Sequence, residues 1–247
     1  MVLASKDIDL MRQGGKLLAE VLDMLVSEAR EGVLPTALDK KAREYVESHG
    51  AKPAFLGFSG FPASVCVSRG SQVVHGIPTD EPLRAGELVG FDFGVLYKGL
   101  YTDAARTTCI DSCKDKQSKK LLSVVEQSFY EGMKKVRSGA YVGDIGNAVQ
   151  TYVEFQGFSV IRSLVGHGVG KELHAEPNVP NFGLPHTGAQ LVEGMTIAVE
   201  PMIAAGTYHV VTEEDGWAVR TADNSLSAHF ENTIVVTKNG YEILTKT

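Results

Sequence analysis

LRAGELVGFDFG at residues 83–94 and LVEGMTIAVEPM at residues 191–202 carry one pattern twice, and each sets a single carboxylate inside an apolar, strand-forming run. Leu191 follows Leu83, Gly194 follows Gly86 and Glu200 follows Asp92 by the same 108 residues, and YVESHG at 45–50 returns 107 residues later as YVEFQG at 152–157. The chain therefore reads as two copies of one helix–helix–strand unit, with halves at about 1–110 and 111–247. An unpaired ionised carboxylate in a low-dielectric interior is very costly, so such groups are normally paired or bound to a metal. Two facing acids invite a cation.

With 247 residues and 43% hydrophobic content, the chain can build one large core. Nothing resembling a Pro/Ser-rich linker separates the halves around 109–118, so one domain spanning 1–247 with internal pseudo-symmetry is expected. A formal charge of −6 argues against DNA or other nonspecific nucleic-acid binding as the main function. A basic cluster runs through Lys114, Lys116, Lys119 and Lys120, with Lys134, Lys135 and Arg137 further on. It reads as a solvated helix face, with docking on an acidic partner such as ribosomal RNA as the alternative. Cys66, Cys109 and Cys113 cannot all pair with one another, and their number is low for a disulfide-dependent fold. The start has no basic segment followed by an apolar one, and no apolar run approaches the roughly 18 residues that cross a bilayer. A soluble, cytoplasmic protein without membrane contact is expected.

Apolar spacing of three and four residues predicts helices over 7–30, through Leu18, Val21, Leu22, Leu25 and Val26 with Ser5 as cap, and over 36–49, ended by Gly50. The second half repeats them over 119–136, through Leu122, Val125, Phe129 and Met133, and over 142–156, ended by Gly157. Strands are expected at 63–68, 87–96, 100–110, 195–203, 209–212 and 227–237. This grouping predicts an α+β fold in which helices cover one face of a mostly antiparallel sheet.

A turn at Lys98-Gly99 joins the strands around Asp92 and Asp103. If Tyr97 pairs with Leu100, Asp103 falls opposite Gly94, and Asp92 and Asp103 share a face as diagonal neighbours roughly 7–8 Å apart. Glu200 in TIAVEPMI and Glu231 in SAHFENTIVV likewise interrupt buried strand patterns, and the arginines near these strands are mainly Arg106 and Arg220. His167 sits in GHGVG, where glycines let the backbone bend close to a site. Four carboxylates and one imidazole suit a pair of divalent ions of the Mn, Fe, Co or Zn kind, and are too oxygen-rich for a structural zinc site. Two such ions would balance the four acids. His75 in VVHGIP and His174 in ELHAEP, 99 residues apart, suggest hydrogen-bond donors to a substrate beside the metals.

The ordered set VVHGIP, FDFG followed by TDAA, GHGVGKELHAEP, TIAVEPMI and FENTIVVT resembles the type I methionine aminopeptidases, across nearly the whole chain. The resemblance implies the duplicated pita-bread fold and removal of the N-terminal methionine from nascent polypeptides whose second residue is small. Carried over residue by residue, it implies Asp92, Asp103, His167, Glu200 and Glu231 as metal ligands. Asp103 and Glu231 would bridge both ions, Asp92 would complete one, and His167 with Glu200 the other. It also implies a metal-bridged water that attacks the first peptide bond, with Glu200 as proton shuttle. His174 would stabilise the oxyanion, His75 would contact the scissile amide, and the free α-amine would bind the ion held by Asp92.

The methionine pocket maps onto Phe58, Phe61, Cys66 and Trp217. Phe55, Phe58, Phe61, Leu173 and the run Arg69-Gly70-Ser71 depart from the usual pattern, which leaves pocket width and any monovalent-cation site open. With no zinc-finger extension and no helical insertion between His75 and Glu231, the resemblance is to the short bacterial form, and a monomer is expected. The rival readings are an Xaa-Pro aminopeptidase on the same fold and a catalytically silent binding protein.

Overall fold

The computed structural model describes residues 2–113 and 115–247, so Lys114 of the basic cluster lies outside the described residues. Four helices follow the apolar periodicity: α1 (Ser5–Glu28), α2 (Pro35–Ser48), α3 (Lys116–Met133) and α4 (Val142–Phe155). α1 buries Leu18, Val21, Leu22 and Leu25, with Val26 half-buried at the edge of the stripe. In α3 the stripe runs through Leu121 rather than Leu122, which is half-buried on its flank. Gly50 and Gly157, at φ of +73° and +85°, end α2 and α4 in the left-handed conformation that a side chain would disfavour.

Ser5 does not cap α1. The carbonyl of Ala4 accepts the first helical bonds, from Asp7 and Ile8, and the chain's entry is fixed by a backbone bond from Leu3 to Gly194. The described residues of the basic cluster, Lys116, Lys119, Lys120, Lys134, Lys135 and Arg137, lie on the surface as expected, and Lys134 and Lys120 have partners. Lys134 pairs with Glu131 at 2.7 Å, and Lys120 donates to the carbonyl of Gln156 while lying over the Phe158 ring.

Strands pair antiparallel throughout the described residues. In the first half, Leu88–Tyr97 is flanked by Leu100–Cys109 on one edge and by Val65–Arg69 and Lys52–Pro53 on the other. α1 and α2 cover this sheet through Phe91, Phe93 and Val95, which leaves Asp92 and Gly94 on the opposite face. In the second half, a five-stranded sheet runs in the order Tyr241–Ile243, Asn232–Val236, Thr196–Val199, Gly166–Gly168 and Ala175–Val179. α3 and α4 share a core with it that includes Ile197, Val199 and Ile234. The arrangement is α+β, with antiparallel sheets covered by helices.

Two expected strands are each broken at an acid. The run 195–203 divides into Thr196–Val199 and Met202–Ala204, and 227–237 divides into Ser227–His229 and Asn232–Val236. Pro201 has no N–H to continue the first ladder. At the second break the chain turns to the other half. Glu231 donates its N–H to the Ala105 carbonyl at 3.0 Å and accepts from Ala105 at 3.4 Å.

On either side of that pair, threonine hydroxyls replace the backbone rungs. Thr107 bonds both backbone groups of His229, and Thr233 bonds both of Asp103. The contacts step two residues along each strand in opposite directions, so the halves meet as an antiparallel ladder at the acids. Cys109 and Cys113 form a disulfide with Cα atoms 5.6 Å apart, and Cys66 is the free, buried thiol. Three cysteines, read as too few for a disulfide-dependent fold, gave no reason to expect this bond, which depends on residues 109–113 folding back on themselves.

Candidate metal centre and substrate cavity

Strand register explains why the first two acids converge. Tyr97 pairs with Leu100 across the Lys98-Gly99 turn, which sets Asp103 opposite Gly94 and Asp92 opposite Ala105. On the other edge of the same strand, Cys66 pairs with Asp92. Gly94 is required here: a Cβ at this position would stand 2.8 Å from both Ala54 Cβ and Phe55 Cε1.

The second half supplies the remaining donors. Glu200 and Glu231 come from the two strand breaks, and His167 comes from a strand paired with Thr196–Val199, opposite Ala198. The carbonyl of Glu200 is fixed by the Asn181 amide at 2.7 Å. Nδ1 of His167 lies 3.0 Å from the Gly168 carbonyl, which can only accept, so Nδ1 carries the proton and Nε2 presents a lone pair to the acids. That Nε2 stands 3.6 Å from Glu200 Oε1 and 3.9 Å from Asp103 Oδ2.

All five residues line one cavity of about 400 Å³, together with His75, His174, Phe55, Phe58, Phe61, Cys66 and Trp217. Phe61 meets Trp217 edge-on at 5.2 Å and is buried, whereas Phe58, edge-on to His174 at 5.1 Å, is 41% exposed at the rim. Leu173 is buried in the same apolar cluster as Phe55, Phe61 and Cys66. His174 stacks edge-on to His167 at 4.4 Å. His75 adopts φ of +60°, a conformation uncommon for a side-chain-bearing residue and concentrated at functional sites.

The electrostatics call for a cation. Burial pushes the Asp92 carboxyl up to about 7 and raises Asp103, Glu200 and Glu231 well above the ordinary carboxylate range. Mutual repulsion adds to burial: Asp92 and Glu200 act on Asp103, and Asp103 acts on Glu231. Burial first, then His174, holds His167 down at about 4, so its imidazole is neutral and competent as a ligand. Neither nearby arginine forms an ion pair with the four acids among the described residues. Arg106 donates to the carbonyls of Ala105 and Glu231 and to Asn232, and Arg220 pairs with Glu213.

Asp92 Oδ1, Asp103 Oδ1 and Glu231 Oε1 are buried with no hydrogen-bond partner. Three donor sets each bring one atom per residue within 4.8 Å: Asp103, His167 and His174; Asp92, His229 and Glu231; and His167, Glu200 and Glu231. Buried, partnerless oxygens at ligand spacing fit divalent metal ions. His229 was not singled out from sequence, although it lies two residues before Glu231 in SAHFENTIVV. Asn178, Leu164 and Val165 also line the cavity without a motif to announce them, as does Met202 from TIAVEPMI.

Comparison with known proteins gives the family. Residues 9–238 match metallopeptidase family M24. The chain is 47% identical over 239 residues to a methionine aminopeptidase of Clostridium perfringens, covering 97% of this chain and 96% of the relative. A crystal structure of methionine aminopeptidase from Rickettsia prowazekii superposes with a TM-score of 0.97 at 42% identity, covering 99% of each chain. One from Thermotoga maritima does so with a TM-score of 0.97 at 40% identity, covering 100% of this chain and 99% of that one. The chain belongs to metallopeptidase family M24, among its methionine aminopeptidases.

Proposed function

We propose that this chain removes the N-terminal methionine from nascent polypeptides whose second residue is small, and that Asp92, Asp103, His167, Glu200 and Glu231 hold two divalent metal ions for the purpose. The observation that carries the reading is the convergence of these five donors in a cavity walled by Phe61, Cys66 and Trp217. Four carboxylates would balance the charge of two divalent ions, and Asp103 and Glu231 would serve both. When bound, such ions act as Lewis acids and bring the pKa of coordinated water down to roughly 7.

The chain's own residues do the rest. The methionine side chain lies against Phe61 and Trp217, where thioether contacts with ring edges contribute about 0.3–1.5 kcal/mol each. His174 donates to the carbonyl oxygen as negative charge develops on it, and His75 holds the amide on the scissile side. Water adds its oxygen to the carbonyl carbon and the C–N bond breaks. Glu200 takes the water's proton and delivers it to the leaving nitrogen. Nascent chains in the cytoplasm are the proposed substrates, met by a monomer. No helix among the described residues is long and apolar enough to cross a membrane.

Cleavage of Met-Ala-Ser compared with Ala-Pro-Ala tests the assignment. Preference for the first supports it, and preference for the second would assign an Xaa-Pro aminopeptidase instead.

A further inference from the structure

His229 lies in the metal cage, and its placement resembles that of a ligand. The residue is 3% exposed, and its Nε2 is buried without a hydrogen-bond partner. That nitrogen stands 3.6 Å from Glu200 Oε2 and 3.8 Å from Glu231 Oε2. His167 faces its own pair of carboxylate oxygens at 3.6 and 3.9 Å. Glu200 is thus flanked by two imidazoles, one at each oxygen.

These separations exceed the 2.7–3.2 Å of an N–H···O bond. The 3.8 Å to Glu231 comes close to the spacing of donors that share an ion, about 3.0–3.5 Å when each sits about 2.1 Å from the metal, and the donor atoms of Asp92, His229 and Glu231 all lie within 4.8 Å of one another. The His229 backbone is held as firmly as that of Asp103. Thr107 Oγ1 donates to its carbonyl at 2.8 Å and accepts from its N–H at 2.9 Å, and the residue also pairs with Met202.

We propose that His229 is a sixth protein ligand, joining Asp92 and Glu231 on one of the two ions. The inference rests on the dinuclear reading of the site. It makes the site richer in nitrogen than four acids and one imidazole would be, which favours Co, Fe or Zn over Mn at that ion.

Proton NMR of the protein fully loaded with Co(II) under anaerobic conditions tests this, with histidine labelled by 15N. A ring N–H on a coordinated imidazole gives a strongly hyperfine-shifted, exchangeable resonance. Two such resonances are expected, with one lost in His229→Gln and the other kept. A single resonance in both proteins would overturn the assignment of His229 while leaving the metal centre intact, and failure of the protein to bind Co(II) would overturn both. Should His229→Gln fold poorly, the count in the unsubstituted protein still decides. Affinity alone would not decide, because partners hydrogen-bonded to a ligand also change metal binding by about 10–100-fold.

Discussion

Thr233 clasps Asp103 from the opposite half of the molecule: its hydroxyl accepts from the Asp103 N–H at 2.9 Å and donates to the Asp103 carbonyl at 2.8 Å. The aspartate is thereby positioned by a residue 130 positions away. Thr233→Val keeps the shape and leaves two buried backbone groups unpaired, at a cost of about 1–3 kcal/mol each. The expected result is a lower unfolding midpoint together with weaker metal binding, both recovered by Thr233→Ser. Metal affinity unchanged in Thr233→Val would show that the clasp does not position the ligand.

The buried acids also set a pH dependence. The folded-state pKa of Asp92, about 7, is raised above the unfolded value of about 4, so its contribution is complete below that lower value and is lost as pH rises through 7. Asp103, Glu200 and Glu231 shift in the same direction. His75, His167, His174 and His229 are lowered and act oppositely, but only below their unfolded value of about 6.5. Between about pH 6.5 and 8 the acids decide. Metal-stripped protein should lose Tm across this interval, while the gain in Tm on adding Mn(II) grows. Thermal melts at each pH, with and without Mn(II), check this, and a flat profile would contradict it.

Shared and unshared ligands should be separable. Asp103→Ala is expected to lower the number of ions bound from two toward none, and Asp92→Ala from two toward one, read by calorimetric titration with Mn(II). Equal losses would contradict the assignment of Asp103 as a bridge.

The apolar wall sets substrate preference. Trp217→Ala removes the ring that Phe61 meets edge-on. Given about 0.3–1.5 kcal/mol for a sulfur–ring contact, KM for Met-Ala-Ser should rise by up to about tenfold with kcat largely kept. Steady-state kinetics on Met-Ala-Ser and Leu-Ala-Ser should show the preference for methionine shrinking. An unchanged ratio would remove Trp217 from the pocket.

Much of this site was legible because its geometry is local. The Lys98-Gly99 turn fixes the register that aligns Asp92 with Asp103, and the 108-residue repeat pairs Asp92 with Glu200. What was not legible is non-local. The pairing of Glu231 with Ala105, and the two threonine clasps beside it, depend on how the halves dock, which no periodicity within either half encodes. The strand break at Glu231 accompanies the same docking, whereas Pro201 was a local sign of the break at Glu200.

His229 is a different case. Strand alternation puts residues 229 and 231 on one face, so its nearness to Glu231 could have been read from SAHFENTIVV. Its approach to Glu200 could not. Ser5 failed as a cap because a backbone bond from Leu3 to Gly194 sets where α1 begins.

The central claim is that metal ions held by five inward donors drive cleavage at a free N-terminal methionine. The most direct test follows bound metal and Met-Ala-Ser turnover in the same samples, as metal-stripped protein is titrated with Mn(II) under anaerobic conditions. Turnover should be absent from stripped protein, rise with ion occupancy, and fail for N-acetylated Met-Ala-Ser at every loading. Full activity in stripped protein, or equal cleavage of the acetylated peptide, would contradict the account.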